Sequence, residues 1–373
     1  MRCLAVLLLM LLPGAASAHK PSDAYLSLSV GERTIEGRWD LALRDLEHAM
    51  GLDRDGDGAI TWGELKARHA AIAAYALARL DLSSAGEACP GEPVEQLVEE
   101  HSDGAYAVLR FVARCPAPVS EVDLSYGLLF DLDPLHRGLI QIERRGATHA
   151  GVVSPEQPDL RVTSEGPELL GQFLTFLWEG VWHIWIGIDH ILFLVSLLLP
   201  AVLRRRPASW EPVESFGEAL LETVKVVTAF TLAHSITLSL AALGVVSLPS
   251  RLIESVIAAS VVVAALNNLY PVITRKVRLV AFGFGLVHGF GFASVLGDLG
   301  LPQDALLLAL FGFNLGVELG QLAIVAAFMP LAFALRQSWL YRRVALQAGS
   351  LVIAAIAMLW LVELALGIAL VIT

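Results

Sequence analysis

Apolar and polar residues alternate in short runs over the first 150 positions, and from about residue 178 the apolar runs lengthen past twenty. The stretches AYLSLSV (24–30) and TIEGRWDLAL (34–43) have a period of two and are joined by Gly31-Glu32-Arg33, which predicts a strand pair with one apolar face. VEQLVEE (94–100), AYAVLRFVARC (105–115), VSEVDLSYGLLF (119–130) and GLIQIERRG (138–146) alternate in the same way. Together they predict a small, mostly antiparallel sandwich carrying a helical insertion. Residues 155–171, rich in Pro, Gly and charge, are expected to link it to the apolar half of the chain.

Beyond the linker the pattern predicts six membrane spans, near 178–203, 223–248, 251–273, 279–299, 304–335 and 345–371. Each reaches the ~20 residues needed to cross hydrocarbon. Trp178 and Trp182 suit the interface ahead of the first span. The expected fold is therefore a membrane protein: a six-span α-helical bundle over 172–373, preceded by an exported β-rich domain over 19–154.

The first 18 residues, MRCLAVLLLMLLPGAASA, combine an early arginine, an apolar core and a small-residue end, the pattern of a cleaved signal peptide. Cys3 would leave with it. Cys89 and Cys115 then form the one pair in the mature chain, expected as a disulfide in an exported domain. Arg204, Arg205, Arg206 and Lys225, then Arg275, Lys276 and Arg278, then Arg336, Arg342 and Arg343 fall in alternate loops, which should be cytoplasmic. The chain is accordingly expected in the inner (plasma) membrane as a multi-pass protein, with the N-terminal domain and the C-terminus on the periplasmic or extracellular side. The net charge of −11 and the lack of a GxxxxGK[ST] loop exclude nucleic acid and nucleotide as expected partners, leaving lipid, metal ion and an exported protein partner.

Within the insertion stands DRDGDGAITWGE, residues 53–64. Asp53, Asp55 and Asp57 take positions 1, 3 and 5 of an EF-hand loop, with Gly58 at the turn, the Ala59 carbonyl at 7, Thr61 at 9 and Glu64 at 12. Flanking segments LALRDLEHAMG and ELKARHAAIAAYALARL read as helices, completing the helix-loop-helix context. Bound Ca²⁺ with a structural role is the expectation, since exported hands work at high calcium.

Polar groups recur inside the predicted spans: His183, Asp189 and His190 in the first, His234 in the second, Asn267 and Asn268 in the third, His288 in the fourth, and Asn314, Glu318 and Gln321 in the fifth. Ionisable groups at membrane depth are costly, so these should face the bundle interior and find partners. Imidazole with carboxylate suits a divalent transition metal such as Ni²⁺, Co²⁺ or Zn²⁺, which makes His183, Asp189, His190, His234, His288 and Glu318 the candidate ligands and the four amides their support. His183 and His190 lie ~10 Å apart on a regular helix. Either the helix breaks near Gly187 or the two are successive stations.

WHIWIGIDHILFL, FTLAHSITLSLAALG, AALNNL, FGFGLVHGFGFASVLGDLGLP and FNLGVELGQLAIV, in this order and spacing, resemble the HupE/UreJ family of membrane proteins in its long form with an exported domain. In that family an H-x5-D-H pattern, here His183, Asp189 and His190, is taken as a metal-handling signature. The resemblance implies a nickel- or cobalt-type permease or an accessory protein. A second reading from the residues alone is an intramembrane zinc hydrolase acting on a lipid or a membrane peptide, with Asp189 or Glu318 as general base.

Overall fold

A computed structural model describes residues 22–101, 104–163, 169–206, 209–273, 276–291 and 303–366. The signal sequence, Arg275, the end of the fourth predicted span and the last residues of the sixth lie outside the described residues. The chain divides into two compact units, one built largely from the β-rich half and one from the apolar half.

In the first unit β1 (Asp23–Val30) and β2 (Thr34–Ala42) form the expected hairpin, with Leu28 opposite Gly37. The insertion follows as α1 (Leu43–Met50), α2 (Trp62–Ala67) and α3 (His69–Leu77). Next come β3 (Leu80–Ser84), β4 (Glu87–Ala88), β5 (Gly91–His101), β6 (Gly104–Arg114), β7 (Val122–Tyr126), β8 (Arg137–Arg144), β9 (Ala147–Val153) and β10 (Asp159–Val162). One sheet has the order β5-β6-β2-β1-β8-β9, the other β10-β7-β3-β4. All pairings are antiparallel except β1 with β8.

Alternation explains how the layers meet. Leu26, Leu28, Trp39, Leu109 and Phe111 on the larger sheet and Leu82, Val122, Leu124 and Tyr126 on the smaller are all buried in one core, where the Trp39 and Tyr126 rings lie 5.4 Å apart. Cys89 and Cys115 pair at this core, with Cα atoms 4.4 Å apart. The sandwich reaches into the stretch expected as a linker, because β10 pairs with β7 from Asp159 to Val162. Its alternation, DLRV, is too short to stand out beside the neighbouring Pro and Gly.

The second unit contains α4 (Leu169–Ile186), α5 (Ile188–Leu198), a hairpin of β11 (Leu203–Arg206) and β12 (Ser209–Pro212), then α6 (Phe216–Ala242), α7 (Ser250–Leu269), α8 (Val277–His288) and α9 (Gln303–Leu335). A π-helical stretch, Tyr341–Ala348, runs into α10 (Gly349–Leu366). Among the described residues four helices are long and apolar enough to cross a membrane, or five if α4 and α5, bent by 70° at their junction, count as one span. α8 is a shorter apolar helix. These helices have the character of a membrane protein.

Close approach of backbones positions the site. A Cβ on Gly316 would collide with the Leu177 carbonyl, and one on Gly289 with the His234 carbonyl, so α9 presses on α4 and the end of α8 presses on α6. Gly316 and Gly289 thus serve packing.

Candidate metal centre

The α4 ladder ends where Gly187 N–H donates to the His183 carbonyl at 3.0 Å, and the α5 ladder begins where Ile191 N–H donates to the Gly187 carbonyl at 2.9 Å. Gly187 itself is extended, at φ −68° and ψ 96°. Any L-residue adopts that backbone, so glycine is needed for space: a Cβ there would stand 2.7 Å from the His183 carbonyl oxygen and 2.9 Å from His190 Nδ1. The break folds His190 back toward His183, and their ring centroids lie 4.6 Å apart. Of the two possibilities in the sequence, the broken helix is the one that forms.

His183, His190 and His234 each bring one ligand atom to within 4.8 Å of the others, and Asp189, His190 and His288 form a second such group. His190 belongs to both. The four imidazoles come from α4, α5, α6 and α8, and His190, His234 and His288 are buried. The His190 ring stands 6.1 Å from that of His234 and 5.3 Å from that of His288. Phe313 lies against His183 at 5.3 Å, and Phe193 and Phe230 lie against His288 at 5.0 and 5.2 Å. These rings give the cluster apolar walls, which strengthen any charge interaction within.

Hydrogen bonds decide which nitrogens can serve as ligands. His190 Nδ1 donates to Asp189 Oδ1 at 3.0 Å, a carboxylate–histidine pair at the N-terminal turn of α5, where negative charge is favoured. That leaves His190 Nε2, which has no hydrogen-bond partner among the described residues. Among the described residues His288 Nδ1 has none either, and the His234 ring faces the Asn314 side chain. Buried polar atoms without partners are unusual, and several lone pairs converging on one space form a ligand set.

The other predicted groups are placed differently. Glu318 does not gather with the imidazoles: its Oε1 accepts from Thr228 Oγ1 at 2.5 Å, while Oε2 is buried without a partner. Asn314 accepts from Ser235 Oγ at 2.7 Å and Gln321 from Thr231 Oγ1 at 2.7 Å, so these three residues tie α9 to α6. Asn268 Nδ2 donates to the Ser196 carbonyl at 2.8 Å and to Ser350 Oγ at 3.1 Å, fastening α7 to α5 and α10. Asn267 Oδ1 accepts from the backbone N–H groups of Val272 and Ile273. Both asparagines act as packing posts away from the histidines. Sequence reading missed Ser260, whose Oγ lies 2.8 Å from His288 Nε2; its only signal was a lone hydroxyl in the apolar run AASVVVAAL.

In the β-rich unit, oxygens of Asp53, Asp55 and Asp57 lie within 4.8 Å of one another. Asp53 accepts from Gly56 N–H at 2.7 Å and Gly58 N–H at 2.9 Å, and Asp57 Oδ1 accepts from Ala59 N–H at 2.8 Å. Gly58 has φ +82°, the left-handed turn that glycine accommodates without strain. Glu64 accepts from the backbone N–H groups of Thr61 at 2.9 Å and Arg54 at 2.8 Å, in that order of effect, and its carboxyl is lowered to about 2. Its reciprocal bond with Thr61 is a capping box that opens α2. The oxygen-only donor set fits calcium.

A further group, Asp40, Glu99 and His101, also gathers its donor atoms. Arg38 already binds Asp40 through two bonds, at 2.9 and 2.7 Å, and pairs with Glu99. A cation is thus in place, and the cluster is an ion-pair network.

Residues 159–364, more than half of the sequence, match the family model described as HupE / UreJ protein. The chain belongs to the HupE/UreJ family. The HupE/UreJ match runs from β10 through α4 to α10 and so contains His183, His190, His234 and His288. No curated protein matched the chain.

Proposed function

We propose that this HupE/UreJ protein is a permease for a divalent transition metal of the nickel or cobalt kind, with the histidine cluster as its intramembrane site. The family as a whole is linked to nickel or cobalt transport or to urease and hydrogenase maturation. The observation that carries the reading is the convergence of His183, His190 and His234 from three helices to within 4.8 Å of one another. Borderline nitrogen ligands in an apolar-walled pocket favour Ni²⁺, Co²⁺ or Zn²⁺ over hard cations such as Mg²⁺.

The ion reaches neutral imidazoles and leaves again, so the site must bind without trapping. His183 receives it and His190, oriented by Asp189, forms the core of the site with His234. His288 continues the path, and Glu318 supplies carboxylate charge farther along α9. α4 with α5 is one broken span, and α8 belongs to the fourth of six. The exported domain sits on the periplasmic side, stapled by the Cys89–Cys115 disulfide. Its hand holds Ca²⁺ through Asp53, Asp55, Asp57, Thr61, Glu64 and the Ala59 carbonyl.

Equilibrium dialysis of the purified full chain against Ni²⁺ or Co²⁺ tests this. Saturable binding that falls at least tenfold in His190→Ala is expected; equal binding by the variant overturns the assignment.

A further inference from the structure

Ser260 lies on α7 in the middle of a run of alanines and valines, and it is buried. Its Oγ makes two contacts: 2.6 Å to the Ile257 carbonyl of its own helix and 2.8 Å to His288 Nε2 at the end of α8. A serine hydroxyl has one proton. A carbonyl can only accept, so that proton goes to Ile257, and the Ser260 oxygen must accept from His288 Nε2–H. The neutral ring then carries its lone pair on Nδ1, the nitrogen that has no hydrogen-bond partner among the described residues.

The opposite assignment is worse. If Ser260 donated to His288 Nε2, the proton of the ring would sit on Nδ1 and would be a buried donor without an acceptor among the described residues. Leaving such a buried donor unsatisfied forfeits its hydration with nothing in return. One ring nitrogen of His288 lies within 4.8 Å of ligand atoms of Asp189 and His190, and Nδ1 is the one that the Ser260 contact leaves open.

We propose that Ser260 is a positioning residue that fixes the tautomer and orientation of His288, so that His288 meets the metal through Nδ1. This rests on the permease reading above and adds to it a residue that never touches the ion. It is the counterpart of Asp189, which presents His190 through Nε2. Outer partners of this kind typically alter metal affinity about 10- to 100-fold.

The test uses the full chain in lipid nanodiscs, with ¹⁵N-histidine spectra of the metal-free protein and Ni²⁺ titration of wild type, Ser260→Ala, Ser260→Thr and His288→Ala. The expected results are an Nε2–H tautomer for His288 in wild type, loss of that single tautomer in Ser260→Ala with about tenfold weaker Ni²⁺ binding, and recovery of both in Ser260→Thr. A His288 proton on Nδ1 in wild type overturns the proposal, as does a Ser260→Ala variant with unchanged tautomer and affinity. If wild type binds Ni²⁺ and the Ser260 variants bind it equally well, the positioning role fails and the permease reading stands. If wild type itself binds no Ni²⁺ or Co²⁺, both fail.

Discussion

The rings of His183 and His190 meet edge to face with centroids 4.6 Å apart, although seven positions separate them in a chain that is helical on either side. A continuous helix would hold their Cα atoms ~10 Å apart. The 70° bend at Gly187 makes the difference, and so the site depends on a residue that contributes no ligand.

Gly187→Ala should therefore weaken metal binding while leaving the bundle folded. The added methyl would stand 2.9 Å from His190 Nδ1 and 3.2 Å from Asp189 Oδ1, so the His190–Asp189 pair must shift to admit it. Overpacking of this kind costs about 1–3 kcal/mol, or about tenfold in affinity at ~1.4 kcal/mol. Calorimetric titration with Ni²⁺, beside a melting curve, measures both.

Asp189→Asn keeps the shape of the carboxylate but removes its charge and its obligation to accept from His190 Nδ1, a bond of 3.0 Å. Metal affinity should drop about 10- to 100-fold. An Asn variant with wild-type affinity in the same titration would show that the pair does not orient the ligand.

Two glycines of the α8 region should respond in opposite ways. Gly289→Ala would drive a Cβ into the His234 carbonyl and separate α6 from α8, whereas a Cβ on Gly283 meets nothing within 4 Å. Gly283→Ala should be neutral or stabilising by up to ~1 kcal/mol through helix propensity. Detergent-solution melting temperatures of the two variants provide the comparison.

The β-rich unit should lose stability in mild acid through His136. Tyr126 OH donates to its Nε2 at 2.9 Å, its Nδ1–H donates to Ser22 Oγ at 2.6 Å, and Ser22 OH passes to Asp133 Oδ2 at 2.8 Å. Every proton in that chain is used while the ring is neutral, and burial lowers its pKa from 6.5 to about 4. Between those values the unfolded chain binds the extra proton and the folded one does not. Stability from this group is thus full above pH 6.5 and declines as pH falls to about 4, by up to ~3 kcal/mol. Hydrogen exchange of β1 and β8 amides, corrected for intrinsic rates, should show the decline in wild type and a shallower one in His136→Gln.

Calcium should stabilise the same unit. At five times a Kd in the millimolar range common for exported hands, the gain is about 1 kcal/mol, or ~2–4 °C. Glu64→Gln and Asp53→Asn should abolish the calcium-dependent shift in a thermal melt of the full chain.

Much of this was legible in the sequence because periodicity reports burial directly. The hairpin of β1 and β2 and the long helices α6, α7 and α9 follow from apolar spacing. β10 did not stand out, since four residues are too few to establish a period. At the metal centre the residue types were readable, since a histidine in an apolar run carries its own cost. Their grouping was not: Glu318 stood beside His234 among the candidate ligands, yet it turns to Thr228. Which face of a helix meets which neighbour depends on contacts such as Gly316 against Leu177 and Gly289 against His234. Those are set by tertiary packing and leave only a small-residue spacing in the sequence.

Uptake by proteoliposomes tests the central claim most directly. Purified wild type, His190→Ala and His234→Ala are reconstituted, and Ni²⁺ or Co²⁺ entry is followed with an enclosed indicator. The account predicts saturable entry in wild type and its loss, to the level of empty vesicles, in both variants. Entry at the wild-type rate in either variant, or no entry in wild type above empty vesicles, would contradict it.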